Sequence, residues 1–231
     1  MIRPIVHDMR PVTLVGGGKV KKSLLNAAIV YAPKIVAADG AADQALRHDH
    51  IPDAVIGDFD SISPAARAAI PAARLHQIAE QDSTDFEKCL SRIDAPLIIG
   101  VGFGGGRLDH QLAALHGLLR YPERPCLLLG KRDIVFLAPP KLRVDLPRGT
   151  RLSLFPMGKV AAGSDGLRWP LDGIGFAPGA RIGTSNRVDG PVRIDTDRPE
   201  MLIILPAGQL DRVVRVLSAP GAPRWPARSG Q

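Results

Sequence analysis

The chain has 231 residues, 45% of them hydrophobic, enough apolar side chain for one large domain or two small ones. Its formal net charge of +7 and isoelectric point near 9.8 ask for an anionic partner, yet the arginines are scattered and lack the aromatic interleaving of single-strand binders, so a small polyanion is expected and nucleic acid is not. No apolar run reaches membrane-spanning length, and Met1 to Arg10 carries charges and a proline where a leader needs apolar residues, so a cytoplasmic protein without a membrane partner is expected.

Val12 to Val15 reads as a first strand, followed by Gly16-Gly17-Gly18 and by a helical pattern from Lys19 to Tyr31 carried by Leu24, Leu25, Ala28 and Ile29. Ile35 to Ala38 and Ala54 to Ile56 are continuous apolar runs, the signature of strands buried on both faces. Further strands are expected at Leu97 to Val101, Cys126 to Leu129 and Ile134 to Leu137, with helices from Ala41, Pro64, Thr84 and Asp109. This alternation predicts an α/β fold, a mostly parallel sheet with helices on both faces, over residues 1–139. Cys89 and Cys126 lack metal or redox spacing and read as buried free thiols.

Beyond Pro139-Pro140 the texture changes. Leu142 to Leu146, Arg151 to Phe155, Val192 to Thr196 and Met201 to Leu205 alternate between Gly, Pro and Asp turns with little helical periodicity. A small antiparallel β-sandwich is expected over residues 140–218. Residues 219–231 are rich in Pro, Ala, Gly and Arg and read as a flexible tail.

The chemistry lies where apolar runs stop. Asp39 follows one strand, and Gly57-Asp58-Phe59-Asp60-Ser61 follows another, with both aspartates expected on one side of an extended segment. Acids so gathered repel one another unless a cation sits among them, and hard oxygen donors suit Mg²⁺ with phosphate. The competing reading is an acidic turn before a helix. Gln81-Asp82-Ser83-Thr84-Asp85-Phe86-Glu87-Lys88 has capping-box spacing and also sets Gln81 and Asp85 at a helix start. In Gly102 to His110, glycines let backbone amides approach an anion and Arg107 can clamp phosphate oxygens, while Asp109 as a cap and His110 as a packing residue are the plainer readings. Gly16-Gly17-Gly18-Lys19 fits neither phosphate-loop nor dinucleotide spacing, but a glycine turn lining a nucleotide suits it. In the β half, Trp169 could stack on a flat ring and Thr184-Ser185-Asn186 could grip ring substituents, although a core tryptophan and a polar hairpin turn are the plainer readings.

Taken in order, Ala38-Asp39-Gly40, Gly57 to Ile62, Gln81 to Phe86, Gly106 to His110 and Thr184-Ser185-Asn186 resemble the thiamin pyrophosphokinases across roughly residues 10–206. The resemblance implies a nucleotide-binding α/β domain, a thiamin-binding β-sandwich, a homodimer with thiamin near the subunit interface, and Mg²⁺-ATP as diphosphate donor. It implies that Asp58, Asp60 and Asp85 hold the metal and act in catalysis beside Gln81. Asp39, Gly40, Arg107, Asp109 and His110 then serve the nucleotide side, and Thr184, Ser185, Asn186 and Trp169 the thiamin side. The chain departs from the family pattern at Gly40-Ala41-Ala42-Asp43, where relatives carry a second glycine and an asparagine, and at Lys131-Arg132-Asp133, where an asparagine is often found.

The expected function is therefore transfer of diphosphate from Mg-ATP to thiamin. The rivals are a Mg-nucleotide sensor or basic nucleic-acid-binding protein without catalysis, and a diphosphotransferase acting on another heterocyclic alcohol.

Overall fold

In the computed structural model, which describes residues 3–228, three parallel strands stand side by side at one end of the ten-stranded main sheet: Val12–Val15, Ile98–Val101 and Cys126–Leu129. Every residue of these strands is buried, as their mostly apolar sequence requires, and the one polar side chain, Thr13, donates its hydroxyl to Ala32 O at 2.6 Å. On the far side of Val12–Val15 lies a second parallel group, Lys34–Ala38, Ala54–Gly57 and Leu75–Gln77. The chain thus winds outward from Val12–Val15, then crosses back to Ile98–Val101 and winds the other way. Such a reversal opens a crevice beyond the carboxyl ends of these two strands, where ligands bind in open α/β sheets. The glycines at 16–18 and 102–106 fall there.

The sheet continues without a break into the second half. Asp133–Leu137 pairs antiparallel with Cys126–Leu129 on one side and with Met201–Pro206 on the other, followed by Arg151–Pro156 and Gly183–Thr196. The last strand spans 14 residues: its first part pairs with Arg151–Pro156, its second with Lys141–Val144 and Val160–Leu167. One apolar core runs from Val15 and Ile99 through Phe136 to Leu152, Ile194 and Ile203, so the two halves share their interior.

The β half holds most of the departures from expectation. Val160–Leu167, with its Gly, Ser and Asp, offers no apolar alternation, and partners on both sides make it a strand. Gly183 to Asn186 belongs to the long strand rather than to a hairpin turn. The ladder to Arg151–Pro156 shifts register between Leu152 and Leu154, and opposite that shift Ser185 takes φ +63° with its N–H donating to Ser153 Oγ at 3.0 Å. A bulge of this kind re-aims a side chain. A helix absent from the sequence-based assignment, Leu210–Leu217, buries Leu210, Val213, Val214 and Leu217. That i, i+3, i+4, i+7 spacing was legible and signals an amphipathic helix.

Residues 219–228 are no free tail. Trp225 Nε1 donates to Ala138 O at 2.7 Å, Arg224 reaches Pro96 O, and Arg228 donates both to Leu119 O at the end of a helix and to Glu200. Polar and aromatic side chains hold down a segment whose apolar content is too small to do so; residues 229–231 lie outside the described residues. No described helix is long and apolar enough to cross a membrane.

Candidate active site

The acid rim begins with Asp39, which ends its strand with φ +44° and is 1% exposed. Its Oδ2 accepts the Ser61 N–H at 3.1 Å, while Oδ1 is buried without a partner among the described residues. Burial raises its pKa to about 6, reinforced by Asp60 and Asp85 and opposed by the Ser61 hydrogen bond. Gly57 is required beside it, because a Cβ there would lie 2.5 Å from that of Asp39. The next strand ends at Gly57, and Phe59 then turns with φ +69°, so Asp58 and Asp60 are gathered by a left-handed turn and not by the alternation of an extended segment. One oxygen from each of Asp39, Asp58 and Asp60 lies within 4.8 Å of the others.

Asp39, placed with the nucleotide by the resemblance, thus stands with Asp58 and Asp60 in one group of carboxylates that could hold a metal ion, while Asp85 approaches from the next element. Asp85 opens the helix Asp85–Leu90, whose capping box between Thr84 and Glu87 forms as the spacing predicts. Its carboxylate lies 3.4 Å from Lys88 Nζ, three residues on. Sequence reasoning overlooked Lys88 as a site residue. Its side chain is 2% exposed and its ammonium donates to Asp58 Oδ2 at 2.8 Å. Burial works against that charge, but Asp58 and Asp85 outweigh it and raise the lysine pKa. In turn the Lys88 hydrogen bond holds Asp58 below the usual carboxylate range, while burial pushes Asp85 above it. Gln81 Nε2 donates to the same Asp58 oxygen at 3.2 Å.

Across the crevice stand the two glycine turns. Gly16 N–H donates to Val101 O and Gly18 N–H to Gly102 O, at 2.7 and 2.8 Å. A Cβ on Gly18 would sit 2.6 Å from Gly102 O, so the approach of the two backbones demands glycine. Phe103 tilts against Phe86 with ring centroids 4.6 Å apart, joining the second turn to the Asp85 helix. Together these walls enclose a cleft of about 1050 Å³ lined by Gly18, Gly40, Asp58, Gln81, Asp85, Lys88, Arg107 and His110 among others. Arg107 precedes the helix Leu108–Arg120 and pairs with Asp109, both largely exposed. Asp109 makes no cap; the Arg107 hydrogen bond lowers its pKa to about 2.

The β-half residues stay apart from this cleft. Asn186 is buried and exchanges hydrogen bonds with the Trp169 backbone, accepting from N–H at 3.2 Å and donating to O at 2.7 Å. It orients Trp169, whose ring is 53% exposed beneath the Arg168 guanidinium and is thus no core tryptophan. Thr184 and Ser185 are exposed.

A model of the thiamin pyrophosphokinase catalytic domain matches residues 25–128, and one of the thiamin pyrophosphokinase vitamin B1 binding domain matches residues 141–201. Thiamine pyrophosphokinase 1 of Oryza sativa subsp. japonica is 31% identical over 185 residues, 71% of this chain and 69% of the relative. The chain belongs to the thiamin pyrophosphokinase family. Thiamine pyrophosphokinase 2 of Arabidopsis thaliana is 30% identical over 62% of this chain and 61% of its own length, so the aligned part spans about two thirds of these plant relatives. Yeast thiamin pyrophosphokinase superposes with a TM-score of 0.71 at 19% identity, covering 90% of this chain and 89% of that one. The Geobacillus thermodenitrificans structure gives 0.70 at 23% over 85% and 96%. At these identities the likeness establishes the shared fold.

The acid trio fits a divalent cation on its own evidence. It offers hard oxygens, and the buried, unpartnered Oδ1 of Asp39 is an acceptor awaiting a donor or an ion. In metal-free protein that acid should destabilise the fold. Its folded pKa lies above its unfolded value, so the penalty is absent below pH 4, grows from there to about 6 and is full above it. Asp39→Asn is accordingly expected to raise the melting temperature in EDTA at pH 7.5 and to leave it unchanged at pH 4. An equal effect at both pH values would place the cause outside ionisation.

Proposed function

We propose that this chain transfers the diphosphate group of Mg-ATP to the hydroxyethyl oxygen of thiamin, giving thiamin diphosphate and AMP. One observation carries the reading: two glycine turns face Asp58 and Asp85 across a single crevice at the point where the chain reverses its winding, and Asp58 belongs to a trio of carboxylates with Asp39 and Asp60. Such a site suits a polyphosphate that brings its own cation.

Mg²⁺ held by Asp39, Asp58 and Asp60 would neutralise charge on the phosphate oxygens. The chain's own groups do the rest. The glycine turns bring backbone amides close to the phosphates, and Arg107 and His110 line the cleft where the anion would lie. Asp85 lines the same cleft with its pKa raised by burial, which suits it to take the proton from the attacking hydroxyl. Asp60 is less suited, since the Ser61 hydroxyl donates to it at 2.6 Å. Transfer then depends mainly on holding hydroxyl and phosphorus in line.

Thiamin is assigned to the β half, residues 140–218, with residues 1–139 handling nucleotide and metal. Trp169 presents an exposed ring, and Ser185 is turned outward by its bulge. Because these groups do not line the acid cleft of their own chain, a second copy would have to bring them to it. Exposed Phe155 and Ile182 on the same half supply apolar surface for such a homodimer. Incubation with Mg-ATP and thiamin, followed by nucleotide analysis, tests the reaction. AMP formed only when thiamin is present is the expected result; ADP, or no turnover with thiamin, would refute it.

A further inference from the structure

The segment from Gly16 to Val20 has no ladder of its own, being neither helix nor strand, yet it forms one wall of the cleft. Its backbone groups must find partners elsewhere. The N–H groups of Gly16 and Gly18 go to Val101 O and Gly102 O. A single side chain, Gln44 of the helix Ala41–Arg47, takes most of what remains. Its Oε1 accepts the Val20 N–H at 2.9 Å, and its Nε2 donates to Gly16 O at 3.2 Å and to Gly18 O. One helical turn on, His48 Nε2 lies 2.7 Å from Val20 O. This alternation leaves the N–H groups of Gly17 and Lys19, both on residues lining the cleft, without a bond to any described residue.

The chemistry admits only one kind of side chain here. Two carbonyls and one N–H converge on one group, so it must donate twice and accept once, which is the pattern of a primary carboxamide; the same pattern fixes which end is nitrogen. Glutamate of equal length would set a second carboxylate oxygen against the two carbonyls. Methionine would fill the space and satisfy none of the three. The rest of the helix's buried face is Ala41, Ala42 and Ala45, so Gln44 adds little apolar packing to the core. Its bonds act on the turn.

We propose that Gln44 is a positioning residue for the nucleotide: it holds residues 16–20 in the shape that offers the Gly17 and Lys19 N–H groups to phosphate. Without it the turn must be ordered by the ligand itself, and that cost appears as weaker nucleotide binding. Thiamin, assigned to the β half, is unaffected. The inference rests on the reading of the cleft as the Mg-ATP site.

The test measures binding of α,β-methylene-ATP with Mg²⁺ by calorimetry, alongside steady-state kinetics, for wild type, Gln44→Met and Gln44→Glu. Both variants are expected to bind the analogue about 10-fold or more weakly and to raise the KM for Mg-ATP in parallel, with the thiamin KM within about twofold and kcat at saturating Mg-ATP within about threefold. If the charged variant does not fold, the methionine variant gives the answer. Unchanged analogue binding by Gln44→Met overturns the inference, as does an equal rise in both KM values, which would make Gln44 a general structural residue. A wild-type protein that binds no Mg-nucleotide refutes the reading of the cleft instead.

Discussion

Asp60→Asn is expected to leave a protein that folds and melts normally but turns over about 100- to 1000-fold more slowly, the range seen when one well-placed charge-stabilising group is removed from a transfer site. The substitution keeps size and shape. Asp60 is exposed, and its carboxylate accepts the hydroxyl of its neighbour Ser61 beside the Asp39 carboxyl. Its loss therefore acts mainly through charge. The trio of Asp39, Asp58 and Asp60 becomes a site of lower charge, and neutralisation is lost when negative charge builds on the departing AMP. Without metal the variant should be as stable as wild type or slightly more so, because three like charges become two. Near-wild-type kcat at ordinary Mg²⁺ would remove Asp60 from the metal site.

Lys88→Met is expected to be the most damaging single change to stability in the cleft. The ammonium is buried and bridges Asp58 and Asp85, so removing it leaves two carboxylates facing each other with no counter-ion. Breaking a fully buried ion pair costs about 3–5 kcal/mol; since Asp85 is partly exposed, a loss of about 2–3 kcal/mol is expected here. The sign of the pH dependence follows from Asp58. Lys88 holds its folded pKa below the unfolded value, so the stability it contributes is present above the unfolded carboxylate pKa and fades as pH falls through the folded one. Urea unfolding of variant and wild type should therefore differ most near pH 7 and converge toward pH 3. A gap that stays constant with pH would mean that packing, not charge, is what Lys88 supplies.

Much of this molecule was legible because its parallel strands are buried on both faces. Val12–Val15, interrupted only by Thr13, and the unbroken runs Ala54–Gly57 and Cys126–Leu129 announce themselves by their apolar content, and the acids and glycines that follow them fall where such a sheet binds its ligands. The capping box at Thr84 and Glu87 was local and formed as its spacing demanded. What escaped was set by tertiary partners. Nothing in the run around Lys88 marks it as a counter-ion, because its partner Asp58 lies 30 positions earlier in the chain. Gln44 sits among alanines, and its partners are backbone atoms of a distant turn. The gathering of Asp39 with Asp58 and Asp60 depends on left-handed turns at Asp39 and Phe59; aspartate takes that conformation more readily than most residues, but nothing about Phe59 announces it. In the β half, Val160–Leu167 is held by neighbours on both sides and not by its own composition. The departure at Asp43 also has a local answer: its carboxylate accepts both the N–H and the hydroxyl of Ser63, which caps the helix Pro64–Ala69 just beyond the acid turn.

The central claim is that the crevice between the glycine turns and the acids moves a diphosphate, and the position of an isotopic label tests it most directly. Wild-type protein is incubated with thiamin, Mg²⁺ and ATP carrying ³²P at the β-phosphorus, and products are separated. Label in thiamin diphosphate, with unlabelled AMP formed in equal amount to thiamin consumed, is the predicted result, and Asp60→Asn should lose both products together. Label left in ADP, beside an unlabelled thiamin monophosphate and no AMP, would contradict it.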